Sequence, residues 1–182
     1  MHSVLLRVIC SAMAIVMVIG LLGCKYANLR GFTYDQIDQN EAKNQMTRIL
    51  IDLFDAVKND NIQQFDNFFA DHVITLPDFK NGRDYVFDTY SGEIISIECR
   101  LPMITGENIR NDMHLFFAST IFDIVTSNDE YRVYVEFYTK DAETQYKIRK
   151  FKMLSKLSVD NGENFSDMGL RYGIYYSGWI RE

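Results

Sequence analysis

Several things are scarce in this chain, and each shortage removes a class of answer. Of its 182 residues only 2 are proline and 10 glycine, which excludes a collagen-like, low-complexity or disordered chain. Positive charge is in the minority, with 19 Lys+Arg against 25 Asp+Glu and a net charge of -6. Nucleic acid and anionic lipid are therefore poor candidates for the main partner, because both are bound through clustered Lys and Arg. Histidine is limited to His2, His72 and His114, none at ligand spacing from a second His or Cys, so no metal is expected. A Gly-rich phosphate loop, a Gly-x-Ser-x-Gly elbow and a Ser/Lys acylation motif are all missing, and no cofactor is implied.

What is present begins at the N-terminus. Met1 to Arg7 carries one firm positive charge, Arg7, and Val8 to Leu22 carries none of either sign. That run is about 15 residues, short of the roughly 20 a helix needs to cross a bilayer, and it reads as a secretory signal core. It closes on Leu21-Leu22-Gly23-Cys24, followed by Lys25. The arrangement resembles the lipobox of bacterial lipoproteins, in which the cysteine receives a diacylglycerol thioether and becomes the first residue of the mature chain. Leu21 and Gly23 fit that pattern; Leu22 is a less common choice.

The resemblance implies a leader over 1–23, a lipid on Cys24, a tether over 24–40 and a single folded domain over 41–182. The protein is then held to the outer face of a bacterial cell membrane. Two acyl chains give the double signal that stable anchoring needs, at about 0.8 kcal/mol per buried methylene. Losing only Arg7 among the charged residues, the mature chain carries about -7. Cys10 leaves with the leader and Cys24 is lipidated, so Cys99 remains alone and no intrachain disulfide can form. Cys99 lies in the alternation Ile95, Ile97, Cys99, Leu101, a buried-face pattern in which it packs as a small hydrophobe.

Helices come first in the mature chain. Asp38 and Glu41 have capping-box spacing, and Met46, Ile49, Leu50, Leu53, Phe54 and Val57 form one helical stripe. Asp60 with Gln63 repeats the capping pattern ahead of a shorter helix carrying Ile62, Phe65, Phe68 and Phe69. Asn81-Gly82 marks a turn, and Asp84 to Tyr90 is compatible with a third helix or a strand.

After Ser91-Gly92 the period changes to two. The expected strands are Glu93–Leu101, Asp112–Thr126, Glu130–Lys140, Tyr146–Val159 and Leu170–Ile180, with turns at Gly106-Glu107-Asn108, Ser127-Asn128-Asp129, Lys140-Asp141-Ala142 and Asp160-Asn161-Gly162. Tyr131, Val133, Val135 and Phe137 alternate with Arg132, Tyr134, Glu136 and Tyr138, as a sheet with one wet face requires. The chain is expected to be α+β, its N-terminal helices packed on a curved, mostly antiparallel sheet of four to six strands.

That order of elements is similar to the nuclear-transport-factor-2-like, or cystatin-like, cone. Ile49 to Val73, ILIDLFDAVKNDNIQQFDNFFADHV, resembles the opening of that superfamily, and the lipobox together with Gly169–Trp179, GLRYGIYYSGW, resembles the uncharacterised lipoproteins of Gram-positive anaerobes grouped as domain of unknown function 5104. Isomerases, dehydratases, binding proteins and scaffolds share this cone, so the resemblance implies fold far more than chemistry.

Enzymes of the superfamily place Asp, His or Tyr inside the cone, where a carboxylate base and an acidic donor converge on one oxyanion. The matching candidates are Asp123, alone in the apolar stretch Phe116–Val125, and His114, with Tyr85 and Trp179 as ligand-lining residues at a mouth. The competing reading turns Asp123 and His114 to water or satisfies them locally. Glu98, Arg100, Arg132, Glu136 and Lys140 read as cross-strand pairs on a solvated face. Lys147, Lys150, Lys152 and Lys156 read as an edge strand guarded against aggregation, with attraction to an anionic envelope polymer as the rival. The expected function is a membrane-anchored, non-enzymatic domain that binds a small molecule or an envelope protein. Its rivals are an isomerase- or dehydratase-like enzyme and an assembly protein that forms a homodimer through the sheet face.

Overall fold

The first helix starts where Asp38 can cap it, its carboxylate accepting from the backbone N–H of Asn40 at 2.9 Å and Glu41 at 3.2 Å. The computed structural model describes residues 38–100, 102–110, 113–139, 146–166, 168 and 172–176, within a compact unit that spans Ile37–Glu182. Helix α1, Gln39–Lys58, buries Met46, Leu50, Leu53, Phe54 and Val57, the stripe read from the sequence. It stops where Asp60 enters the left-handed region at φ 52. The second cap is one residue later than expected: Asn61 accepts from the Gln64 N–H at 3.1 Å, and its amide donates to the Gln64 side chain at 3.0 Å. Helix α2, Ile62–Asp66, is only five residues long; α3, Asp71–Ile74, and α4, Phe79–Thr89, follow. Arg83 of α4 reaches Asp66 of α2 at 2.8 Å, yet burial outweighs that pair and holds the Asp66 carboxyl above its usual range.

Helix α4 corrects the expected turn at Asn81-Gly82, since both residues lie inside it. Gly82 is there for proximity. A Cβ on it would meet Ile174 Cβ at 2.6 Å and the Ile174 carbonyl oxygen at 2.7 Å, so only a bare Cα lets the helix touch the strand beneath.

The strands are β1, Ile94–Cys99; β2, Ile104–Arg110; β3, Met113–Thr126; β4, Glu130–Tyr138; β5, Ile148–Ser155; and β6, Gly173–Tyr175. They form one open sheet in the order β1-β3-β4-β5-β6. Strand β2 also lies against β3, taking the half that β1 leaves, from Ile104↔Ser119 to Arg110↔Met113. Among the described residues the strand pairings are antiparallel except β5–β6, which is parallel, as is an isolated bridge between Phe69 and Ile148. The expected turn at Gly106-Glu107-Asn108 is thus strand. Gly106 opposes Phe117, whose ring would sit 2.4 Å from a Cβ placed there, and the missing side chain makes room for that ring. Two more expectations shift. Lys156–Val159 leaves the sheet as helix α5, Lys156–Asp160, capped by Ser155 accepting from the Ser158 N–H at 3.2 Å. Ile95 is exposed because the register slips between Ile94 and Ser96, whereas Cys99 packs against the core with its sulfur 3.2 Å from Thr120 Oγ1.

The core fills the space between α1–α4 and one face of the sheet, which carries Phe122, Ile124, Val133, Val135, Phe137, Phe151 and Met153. Aromatic rings occupy much of it. Phe69 meets Phe65, Phe79 and Phe151 at 5.1, 5.2 and 6.1 Å, and Phe54 stacks on Tyr90 at 4.5 Å. Each such side chain contributes about 1.5–3 kcal/mol by leaving water. Among the described residues no helix is long and apolar enough to cross a membrane.

Candidate functional site

Along β4, Arg132, Tyr134 and Glu136 alternate with the core positions and point to the other, outer face of the sheet, whereas Tyr138, next in that register, is itself buried in the core cluster. The chain folds back over this face after β5. Phe165 lies 5.9 Å from the Tyr134 ring, and the Lys152 ammonium donates to the Asn164 carbonyl at 2.8 Å. Between α5 and the sheet this leaves a cleft of about 170 Å³, with an apolar floor of Ile121, Leu154, Val159 and Phe165. Arg100, Arg132, Glu163 and Asn164 complete its lining.

Asp123 aligns the two arginines. Arg132 Nε donates to Asp123 Oδ1 at 3.0 Å, and Arg100 Nη1 stands 3.6 Å from Oδ2. The Asp123 side chain is 43% exposed and on the outer face, outside the packed interior in which a catalytic base of the cone would sit. His114 pairs with Ile109 near the start of β3. Nine residues of strand separate it from Asp123, roughly 30 Å at about 3.4 Å per residue, and the two do not converge. Tyr85 is half-buried on α4, its ring 6.0 Å from Tyr176; burial pushes its hydroxyl up, with Thr89 and Ser158 as opposing hydrogen-bond partners. Trp179 and Cys24 lie outside the described residues.

A second cluster occupies the same face beyond Tyr134. The ladder runs Glu136↔Lys150 and then Phe137↔Ile148, leaving Arg149 as the extra residue of a β-bulge. The bulge brings two successive cations to one carboxylate: Arg149 Nε lies 2.7 Å and Lys150 Nζ 3.4 Å from Glu136 Oε1. The guanidinium contact is Coulombic, because its N–H is not aimed at that oxygen. Tyr134 donates to Glu136 Oε2 at 3.3 Å, and its hydroxyl is pushed up to about 12, chiefly by burial. The Arg149 guanidinium carbon sits 4.3 Å from the Phe117 centroid, 4.4 Å from Tyr172 and 5.3 Å from Tyr138. Tyr138 and His72 approach at 3.3 Å between Oη and Nε2.

This cluster corrects the sequence reading twice. Lys150 and Lys152 are buried, not edge guards, since β5 runs between β4 and β6; Glu136 is buried, not solvated. One signal was visible in the sequence. Ile148 and Phe151 are both core residues, and that odd spacing breaks a two-residue period at Arg149-Lys150. Among the described residues no three His, Cys, Asp or Glu side chains come together as a metal site would need.

The model of a family described as Domain of unknown function (DUF5104) matches residues 52–148, just over half of the chain. No curated protein matches.

Proposed function

The chain belongs to the DUF5104 family, and from that premise we propose that it is a non-enzymatic binding domain, tethered outside the cytoplasm by lipid on Cys24, which receives a small molecule on the outer face of its sheet. The observation that carries this is a cleft among the described residues. Phenylalanine and tyrosine rings pack the helix-facing side, while the outer face keeps a cleft of about 170 Å³ with an apolar floor, two arginines and Glu163. An apolar cavity of about 150 Å³ accepts benzene, so a ring-sized body with a hydrogen-bonding or anionic head suits this one. Asp123 is paired with Arg132 and Arg100 and is remote from His114 along β3, which favours binding over an isomerase reading. Helices first and an open, mostly antiparallel sheet afterwards support the nuclear-transport-factor-2-like cone.

Calorimetric titration of the full-length chain in detergent with benzoate tests the binding. Saturable uptake that weakens about tenfold in Arg132→Gln, the loss expected for one charge-assisted contact, supports it; no uptake contradicts it. Labelling cells with a radioactive fatty acid, beside a Cys24→Ala control, tests the tether, and an unlabelled wild type would overturn it.

A further inference from the structure

Arg149 is a deeply buried charge whose partners do not use all its donors. Its side chain is 4% exposed. Three rings crowd the guanidinium within 5.3 Å of its carbon, contacts that engage its charge and leave its N–H donors to bond elsewhere. Of these, Nε is held off-axis at 2.7 Å from Glu136 Oε1, and Nη1 has no hydrogen-bond partner. Buried donors in native proteins are almost always satisfied, by protein, water or a bound ion.

The charges point the same way. Arg149 and Lys150 share a single oxygen of Glu136, and all three side chains are nearly sealed from water, at 4%, 11% and 6% exposed. One carboxylate against two cations leaves one positive charge uncompensated within the group. Asp123, the carboxylate further along β3, is engaged by Arg132 and Arg100, and Tyr134 is an uncharged donor to Glu136. Among the described residues these are the ion pairs of the group, and a negative group presenting acceptor oxygens in the guanidinium plane, the geometry in which arginine binds carboxylate and phosphate, would supply the balance.

We propose that Arg149 and Lys150 form a binding site for a small oxyanion of the carboxylate or phosphate type, received by Arg149 Nη1 and neutralising the excess charge beside Glu136. The bulge at Arg149 builds the site, and Phe117, Tyr138 and Tyr172 hold the guanidinium in place. It shares no residue with the cleft lined by Arg100 and Arg132 and does not depend on the cleft's ligand.

The test is thermal unfolding of the full-length chain in detergent at constant ionic strength, in chloride, phosphate or acetate. A saturable rise in Tm above the chloride value in phosphate or acetate is expected, and the comparison of those two arms identifies the oxyanion. Lys150→Gln, which removes the excess charge but keeps Glu136 beside Arg149, is expected to weaken the anion by about tenfold. Arg149→Lys keeps the charge and abolishes the rise; where it does not fold, Lys150→Gln decides alone. Arg132→Gln is expected to leave the rise intact, which separates this site from the cleft. Equal Tm in all three salts overturns the proposal, as does an undiminished rise in Lys150→Gln or its loss in Arg132→Gln.

Discussion

Replacing Gly82 by alanine sets helix propensity against packing. Inside a helix, alanine is favoured over glycine by about 0.8–1.0 kcal/mol, so local preference alone makes Gly82→Ala stabilising. The new methyl, however, would stand 2.6 Å from Ile174 Cβ and 2.7 Å from its carbonyl oxygen. Neither atom can swing aside, since one is backbone and the other is fixed to it. Either α4 or β6 must retreat by about 1 Å, and overpacking of this kind costs about 1–3 kcal/mol. Strand β6 is three residues long and buries Ile174 and Tyr175 at 3% and 2% exposure. Loosening it also forfeits part of the about 1.5–3 kcal/mol that each side chain contributes. Packing wins, and the variant is expected to be about 1–3 kcal/mol less stable, a Tm lower by roughly 3–10 °C. Urea unfolding followed by circular dichroism measures it, with Asn81→Ala as the control. Asn81 is exposed on the same helix, so that change meets propensity alone and adds about 0.5 kcal/mol. A Gly82→Ala protein more stable than wild type would refute the contact between α4 and β6.

Other perturbations separate buried from exposed charge. Glu136→Ala strands Arg149 and Lys150 without their carboxylate and is expected to cost about 3–5 kcal/mol, whereas Asp123→Ala, on a half-exposed pair, costs under about 1 kcal/mol; equal losses in urea titrations of the two would contradict the placement of either. Alkaline stability should fall in a defined window, because Tyr90 and Tyr134 are each raised from 10.0 to about 12, mainly by burial. The fold favours the protonated phenol, so its stabilisation is complete below pH 10 and is lost as pH rises through about 12. At about 1.36 kcal/mol per unit, reduced for solvent screening, each contributes about 1–2 kcal/mol. Tyr90→Phe with Tyr134→Phe should flatten that loss, and an unchanged pH profile would count against it. Asp38→Ala removes the α1 cap and is expected to cost about 1 kcal/mol; an unaltered urea midpoint would show that the cap does not matter.

The parts of the fold legible in the sequence are those where one residue's chemistry decides its own position. Leu50, Leu53 and Phe54 announce the buried stripe of α1, and Tyr131 to Phe137 announce a strand with two unlike faces. The sequence misleads where the reason for a residue lies in a distant neighbour. Gly82 and Gly106 look like turn residues because a missing side chain is visible in a sequence, while the Ile174 backbone and the Phe117 ring that need the space are not. Lys150 and Lys152 look like solvated charges until β6 is seen to cover their strand.

The candidate site follows the same rule. Asp123 is noticeable as a carboxylate among apolar residues, but its partners Arg100 and Arg132 arrive through the register of adjacent strands. Arg149 is hidden more deeply. Its position depends on a bulge, and its cage is assembled from Phe117, Tyr138 and Tyr172, which come from separate parts of the chain.

Methyl-resolved nuclear magnetic resonance of the full-length chain in detergent micelles, titrated with benzoate, addresses the location of binding directly. The cleft reading predicts saturable shifts at the Ile121, Leu154 and Val159 methyls, with those of Leu50, Val133 and Val135 in the packed interior left in place. Shifts at the interior methyls with the cleft methyls silent, or no shifts in either set, would contradict it.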